Sequence, residues 1–290
     1  MYHQNMLPRN VKQLLQLVAF ILCLTPHLLA AQDQDSLHIV QKKWNSKEIK
    51  KGITWHQGHF DNLFNSTQEI NWVEIDLKKY HKNIHIAAEA TTLKPTSSFA
   101  AEHNALVAIN ASFFDMKNGG SVDYLKVNGQ QINTSKEGKP SDRANAVFSI
   151  SKKGISIEQT NKVTVEESTA HSVMVAGPLL LESDTYVLLK NNPFNDNRHP
   201  RTAVALTKKG KLIFLVVDGR SNQANGMSLP ELAKVFKWLG AQDAMNLDGG
   251  GSSTLFIKGA TANGVVNYPS DNKKFDHEGQ RKVANIIYVN

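Results

Sequence analysis

Two aspartates, each closing an apolar run and each followed by glycine, are the residues of this chain best placed to do chemistry. Lys211 to Val217 leads into Asp218, Gly219 and Arg220, and Ala244 to Leu247 leads into Asp248, Gly249, Gly250, Gly251, Ser252, Ser253 and Thr254. Three consecutive glycines remove every side chain from a short stretch of backbone. A ligand can then approach closely, and successive N–H groups can turn toward an anion or a sugar hydroxyl. Asp-Gly is also a hairpin signal, so the second segment taken alone reads equally well as a turn.

The elements around the two acids favour a site. Lys-Leu-Ile-Phe-Leu-Val-Val (211–217) is a β-rich run. Ser228-Leu-Pro-Glu231 has capping-box spacing, and Leu229, Leu232, Ala233, Phe236 and Leu239 mark one helical face ahead of Gly240. The pattern predicts a strand, helix, strand unit with parallel neighbouring strands, which puts Asp218 and Asp248 at adjacent carboxyl ends, the edge where ligands bind. Strands about 4.8 Å apart would hold the two carboxylates some 5 to 10 Å from each other, a span covering both geometries of paired-acid glycoside hydrolysis. Arg201 and Arg220 are natural partners for a negative substrate group, because a guanidinium grips phosphate with two hydrogen bonds.

The run Arg198-His-Pro-Arg-Thr-Ala203, then Val217-Asp-Gly-Arg220, Ser228-Leu-Pro-Glu-Leu232 and Asn246-Leu-Asp-Gly-Gly-Gly-Ser-Ser-Thr254, in that order and spacing, resembles the phosphodiester glycosidase family. Ala108 to Phe114, Ala176 to Leu179, Asn267 to Asp271 and Arg281 to Asn285 are similar to its flanking motifs, so the resemblance runs from about Trp72 to Val289. It implies hydrolysis of a sugar-1-phosphodiester at the sugar carbon, with Asp218 and Asp248 as catalytic acids in roles the sequence leaves unassigned. It also implies a substrate-binding set of Arg201, Thr202, Arg220, Asn246, Gly249, Gly250, Gly251, Ser252 and Ser253. Ala176 and Ala205 stand where the family commonly shows glycine, and the polar stretch 272–280 is unusual for it; none of these departures removes an acid or an arginine.

Further candidates follow from local context. Asn110 and Ser112 end the apolar run Ala105 to Ile109 and could hydrogen-bond a sugar, although both are also ordinary turn residues. Phe113 and Phe114 could supply a sugar-stacking face, but aromatics beside a strand end are more often core, and they read as core. Glu74, in the alternating run Trp72 to Leu77, is the best third carboxylate, and Arg143 ahead of Ala146 to Ile150 is an additional anion contact. His81 and His85 are four apart but sit in turn- and strand-like sequence, so they make no zinc motif. The sequence requires no cofactor, leaves room for a divalent cation near Asp248, and leaves a metal site unknown.

Arg9 and Lys12 ahead of the apolar stretch Leu14 to Leu24, closing on Ala30 and Ala31, read as a signal peptide over 1–31. This implies an exported protein of the periplasm or extracellular space, with no stable membrane span after cleavage. Cys23 is the only cysteine, so the mature chain has no disulfide. The formal charge is +7, or +5 without Arg9 and Lys12, spread over turns such as Lys152-Lys153, Lys208-Lys209 and Lys273-Lys274. Such a surface favours phosphorylated sugars or glycans. The lysines are not interleaved with aromatics, which argues against nucleic acid.

Residues 32–51 read as a polar lead-in and 52–290 as one catalytic domain. The predicted strands lie near 70–77, 84–90, 105–110, 146–157, 173–181, 202–206, 211–217, 244–247, 254–258 and 283–289. They define a mixed α/β (α+β) fold, with a β-rich core, a few covering helices and one βαβ crossover. The oligomeric state is open. Two other functions are compatible with the same residues: a non-catalytic polysaccharide binder, and a phosphodiesterase that cuts P–O.

Overall fold

The computed structural model describes residues 34–135, 143–162 and 164–290. The segment read as a signal peptide lies outside them. Among the described residues, 34–42, of which 34–40 are helical, belong to one unit and Lys43–Asn290 form the other. Among the described residues no helix is long and apolar enough to cross a membrane.

The larger unit is built on three principal sheets, and every strand pairing in them is antiparallel. The widest has eight strands in the spatial order Asn45–Lys50, Ile53–Phe60, Gln68–Asp76, Lys211–Val217, Arg201–Thr207, Ala241–Asn246, Leu179–Glu182 and Thr185–Tyr186. A five-stranded sheet runs Gly154–Gln159, Ala146–Ser151, Ser172–Ala176, Leu125–Val127 and Gln130–Asn133. A four-stranded sheet runs Leu255–Ile257, Val107–Asn110, Asn285–Val289 and Ile84–Ala88. The β-rich α+β class follows as expected. Two runs read as single strands are each divided: 146–157 at the Lys152-Lys153 turn, and 173–181 at Gly177-Pro178. The stretch read as a lead-in carries the edge strand Asn45–Lys50, whose register with Ile53–Phe60 runs from Asn45 opposite Gln57 to Lys50 opposite Ile53.

All three sheets contribute to one core. Val73, Val204, Phe214 and Met245 come from the widest sheet, Phe148, Ile150 and Met174 from the second, and Ile109, Leu255 and Ile287 from the third. Each such side chain gains about 1.5–3 kcal/mol from burial, less the entropy of ordering it. Leu212 to Val217 is buried on both faces, which explains why that run is continuously apolar and not alternating.

The strand, helix, strand unit is present, with one difference that matters for the site. The Leu229–Trp238 helix begins in the expected capping box: the Ser228 hydroxyl accepts from Glu231 N–H at 3.3 Å, and Glu231 Oε2 accepts from Ser228 N–H at 2.9 Å. Its apolar face buries Leu229, Leu232, Ala233, Val235 and Phe236. The strands it joins run in the same direction but are not neighbours. Arg201–Thr207 lies between them, antiparallel to both, with Arg201 opposite Val217 and Ala203 opposite Asn246. The expected adjacency of the Asp218 and Asp248 strands is therefore corrected. The inserted strand begins at the edge where its neighbours end, and so brings Arg201 and Thr202 to the edge that carries both acids.

Candidate active site

Asp248 leaves its strand directly into the glycine turn. Its N–H donates to the Ala111 carbonyl at 2.8 Å and its own carbonyl accepts from Asn110 Nδ2 at 2.6 Å, which ties the turn to the end of the Val107–Asn110 strand in another sheet. Two glycines are dictated by close approach. A Cβ at Gly249 would lie 2.6 Å from the Pro200 carbonyl oxygen, and one at Gly251 would lie 2.6 Å from Arg281 Nη2. The first is too short for any side chain, so the strand-start loop packs directly against bare backbone; at Gly251 an added carbon would have to displace the ends of the Arg281 and Asp271 side chains.

The Asp248 side chain borders a cavity of about 290 Å³ lined also by Phe113, Phe114, Met116, Arg143 and Arg281. Burial pushes its carboxyl up to about 6, against the pull of the Ser252 hydroxyl, the Arg281 charge, the Gly249 N–H and Arg143. Arg281 is held by Asp271, with Nε at 3.0 Å and Nη2 at 2.5 Å from Oδ1. Arg143 lies over the rings of Phe194 and Phe113, at 4.9 and 5.7 Å from their centroids. An acid that titrates near neutrality therefore shares a small aromatic-walled cavity with two guanidiniums. That set can grip an anion while the carboxylate faces a neighbouring carbon centre.

Asp218 has a different setting. It is 1% exposed; Oδ1 accepts from Asn267 Nδ2 at 2.8 Å and from Tyr268 N–H at 2.9 Å, while Oδ2 is buried with no partner among the described residues. Burial pushes this carboxyl up to about 7, opposed by those two hydrogen bonds, and the charge of Glu69 raises it further. Asp218 N–H also donates to the Glu69 carbonyl at 3.0 Å. Asp218 thus lies beneath the Asn267–Tyr268 turn and does not line the Asp248 cavity.

Several residues expected to bind substrate have their hydrogen bonds inside the protein. Asn110 is fully buried, and Oδ1 accepts from the Thr202 hydroxyl at 2.7 Å and Thr254 N–H at 3.0 Å. Ser112 is bonded through both its N–H and its hydroxyl to Asn285, at 2.7 and 2.9 Å. Asn246 Nδ2 donates to the Gly177 and Leu247 carbonyls. Arg201 is 1% exposed and donates to the Met227, Phe194 and Asn197 carbonyls at 2.8, 2.7 and 3.0 Å, which lowers its standing as a substrate clamp. These residues, with buried Thr202, position the turn rather than line the Asp248 cavity; Ser252 and Ser253 are buried too, with their N–H groups bonded to the Gly249 and Gly250 carbonyls and their hydroxyls without a hydrogen-bond partner of ordinary geometry among the described residues. Glu74 is corrected outright. It pairs opposite Ile213, near the far end of the strand from Asp218, and lies 3.8 Å from Lys211 Nζ. The acid of that strand near the site is Glu69, which accepts from Gln57 Nε2 and contacts His59 Nδ1, both at 3.1 Å.

Arg220 remains exposed, in the left-handed backbone region at φ 62°, with its guanidinium against Gly250; a Cβ there would lie 3.0 Å from Nη2. His199, beside Arg201 and Arg220, is pushed down in pKa first by burial and then by those two charges, against a hydrogen bond to the Pro193 backbone. Phe113, Phe114, Arg281 and Glu69 are the residues that sequence reasoning left outside the site. Arg281 carried a usable signal, since it opens the closing family-like motif. Among the described residues no cluster of three His, Cys, Asp or Glu side chains could hold a metal ion.

Residues 103–290 match the family model described as phosphodiester glycosidase. The N-acetylglucosamine-1-phosphodiester alpha-N-acetylglucosaminidase of Bos taurus is 38% identical over 90 residues, 31% of this chain and 16% of that protein. The Homo sapiens protein of the same name is 39% identical over 71 residues, 24% of this chain and 13% of the relative. The SPbeta prophage-derived uncharacterized protein YomE of Bacillus subtilis is 35% identical over 68 residues, 23% of this chain and 11% of its own length. The matched stretch thus spans less than a fifth of each of these relatives. Among solved structures, the zebrafish N-acetylglucosamine-1-phosphodiester alpha-N-acetylglucosaminidase catalytic domain, auto-inhibited by its pro-peptide, superposes with a TM-score of 0.65 at 20% identity, covering 85% of this chain and 87% of that one. A hypothetical protein from Synechocystis gives a TM-score of 0.60 at 17% identity, covering 86% and 64%. At these identities the structural likeness carries the fold.

Proposed function

The chain belongs to the phosphodiester glycosidase family, and from that premise we propose that it hydrolyses the glycosidic C–O bond of a sugar-1-phosphodiester, of the N-acetylglucosamine-1-phosphodiester type. The observation that carries this reading is Asp248, an acid titrating near 6 at a cavity it shares with Arg143 and Arg281. The two guanidiniums bind the phosphodiester and neutralise the charge that grows on the leaving phosphate. A phosphate monoester leaves readily, so little protonation is needed. The ionised Asp248 carboxylate faces the anomeric carbon and stabilises its developing positive charge, or attacks it. Phe113 and Phe114 supply apolar walls for the sugar. Asp218, buried under Asn267 and Tyr268, acts in this scheme as a positioning residue. Export, supported by the segment from Arg9 to Ala31, makes an envelope or extracellular glycan the expected source of substrate.

The test is product analysis by mass spectrometry with an N-acetylglucosamine-1-phosphodiester in oxygen-18 water. Label in the free sugar from wild type, and no product from a folded Asp248→Asn variant, is the expected result. Label in phosphate would mean P–O cleavage, and binding without turnover would mean a non-catalytic binder; either overturns the reading.

A further inference from the structure

A second cavity of about 290 Å³ is separate from the Asp248 cavity and shares no lining residue with it. Arg220, Lys273, Lys274, Tyr268, Ser270 and Phe275 are among its lining residues. Its cations are not consumed within the protein: none of Arg220, Lys273 and Lys274 forms an ion pair within 4 Å among the described residues. Asp276, which feels the Lys274 charge, is already bonded to Asn272 Nδ2 at 2.8 Å and Glu278 N–H at 2.9 Å.

Two local features accompany the cations. Ser270 Oγ is buried with no partner among the described residues. Arg220 and Lys273 both hold left-handed backbone, at φ 62° and 60°. One wall is aromatic, with Tyr268 and Phe275 stacked at 4.0 Å between centroids. Arg220, which lines this cavity, rests against Gly250, and Arg281, which lines the Asp248 cavity, rests against the next residue, Gly251.

We propose that this cavity binds a second phosphate on the substrate, carried by the alcohol half, while the scissile phosphodiester occupies the Asp248 cavity. This rests on the glycosidase reading of the Asp248 site. The substrate class is then a sugar-1-phosphodiester whose aglycone is itself phosphorylated, as in a phosphate-bearing polymer. Arg220 serves the second phosphate, and Arg143 and Arg281 serve the first.

The experiment compares kcat/KM for N-acetylglucosamine-1-phosphoglycerol with that for the same compound phosphorylated on its free primary hydroxyl. Wild type should prefer the doubly phosphorylated substrate by about tenfold or more, as expected for charge-assisted contacts. In Lys273→Ala/Lys274→Ala that preference should collapse toward one, with turnover of the singly phosphorylated compound unchanged. Lys152→Ala/Lys153→Ala, on a remote turn, should keep the preference. A preference that survives loss of Lys273 and Lys274, or that falls equally with Lys152 and Lys153, overturns the proposal. If neither compound is turned over, the glycosidase reading fails separately, and titration with inorganic phosphate decides: binding lost in the Lys273/Lys274 variant upholds the anion site, and equal binding overturns it.

Discussion

Replacing Asp218 with asparagine should remove a defined share of the pH dependence of stability. The wild-type carboxyl is pushed up to about 7 from the ordinary aspartate value of 3.8, chiefly by burial. Below pH 4 it is neutral in both the folded and unfolded chain, and its contribution is most favourable. As pH rises from about 4 to about 7 the unfolded chain ionises first, so the folded state loses stability; above 7 both are ionised and the loss is complete. The interval corresponds to roughly 4 kcal/mol at most, and relaxation around the buried charge makes about 2–4 kcal/mol the working range. Asparagine keeps an acceptor for Asn267 Nδ2 and Tyr268 N–H but places an amide where Oδ2 has no partner, at a cost of about 1–3 kcal/mol. The absolute effect at any single pH is therefore modest, and the slope is decisive. Urea unfolding followed by tryptophan fluorescence from pH 4.5 to 8 should show the variant gaining about 2–4 kcal/mol on wild type across that range. Asp248, also raised, and His56, lowered by burial to about 4, cancel in the difference. A difference that stays constant within about 0.5 kcal/mol would refute the assignment of a buried, neutralised Asp218.

Five further outcomes follow from the site. The acidic limb of kcat/KM should fall with an apparent pKa near 6 if Asp248 acts ionised, and the Asp248→Asn variant should lose turnover while keeping its far-ultraviolet dichroism. Gly251→Ala forces the Arg281–Asp271 pair aside; about a hundredfold loss of kcat/KM is expected, since small misplacements at a reacting centre carry such penalties, and steady-state kinetics measures it. Asn110→Ala leaves the Thr254 N–H and the Thr202 hydroxyl without their acceptor and should destabilise the fold by about 2–4 kcal/mol in the same urea assay, whereas Glu74→Gln should leave turnover unchanged.

Much of the site was legible from local pattern, because local chemistry produces it. The capping box at Ser228, the apolar face of its helix, and two strands ending in Asp-Gly are set by neighbours within a few residues. What could not be read locally is which strand inserts between those two. Nothing in the composition of Arg201–Thr207 names its neighbours, and only the pairing of the folded sheet gives its position. The choice between Glu69 and Glu74 failed for the same reason. Both lie on Gln68–Asp76, and only the register, with Ile70 opposite Val217, puts Glu69 by the site. Phe113 and Phe114 were read as core because an aromatic after a strand looks the same whether it meets a sheet or a cavity.

The bonds that close the turn join residues far apart in the chain. Asn110 reaches Asp248 across 138 residues and Thr254 across 144, and Ser112 reaches Asn285 across 173. Chain closure over such separations is slow and comes late, so the glycine turn is set only when the last strand, Asn285–Val289, has docked. In a refolding time course, recovery of hydrolysis should lag the first return of secondary structure and coincide with the slowest folding phase. A chain cut short before Asn285 should collapse around the widest sheet yet never regain activity.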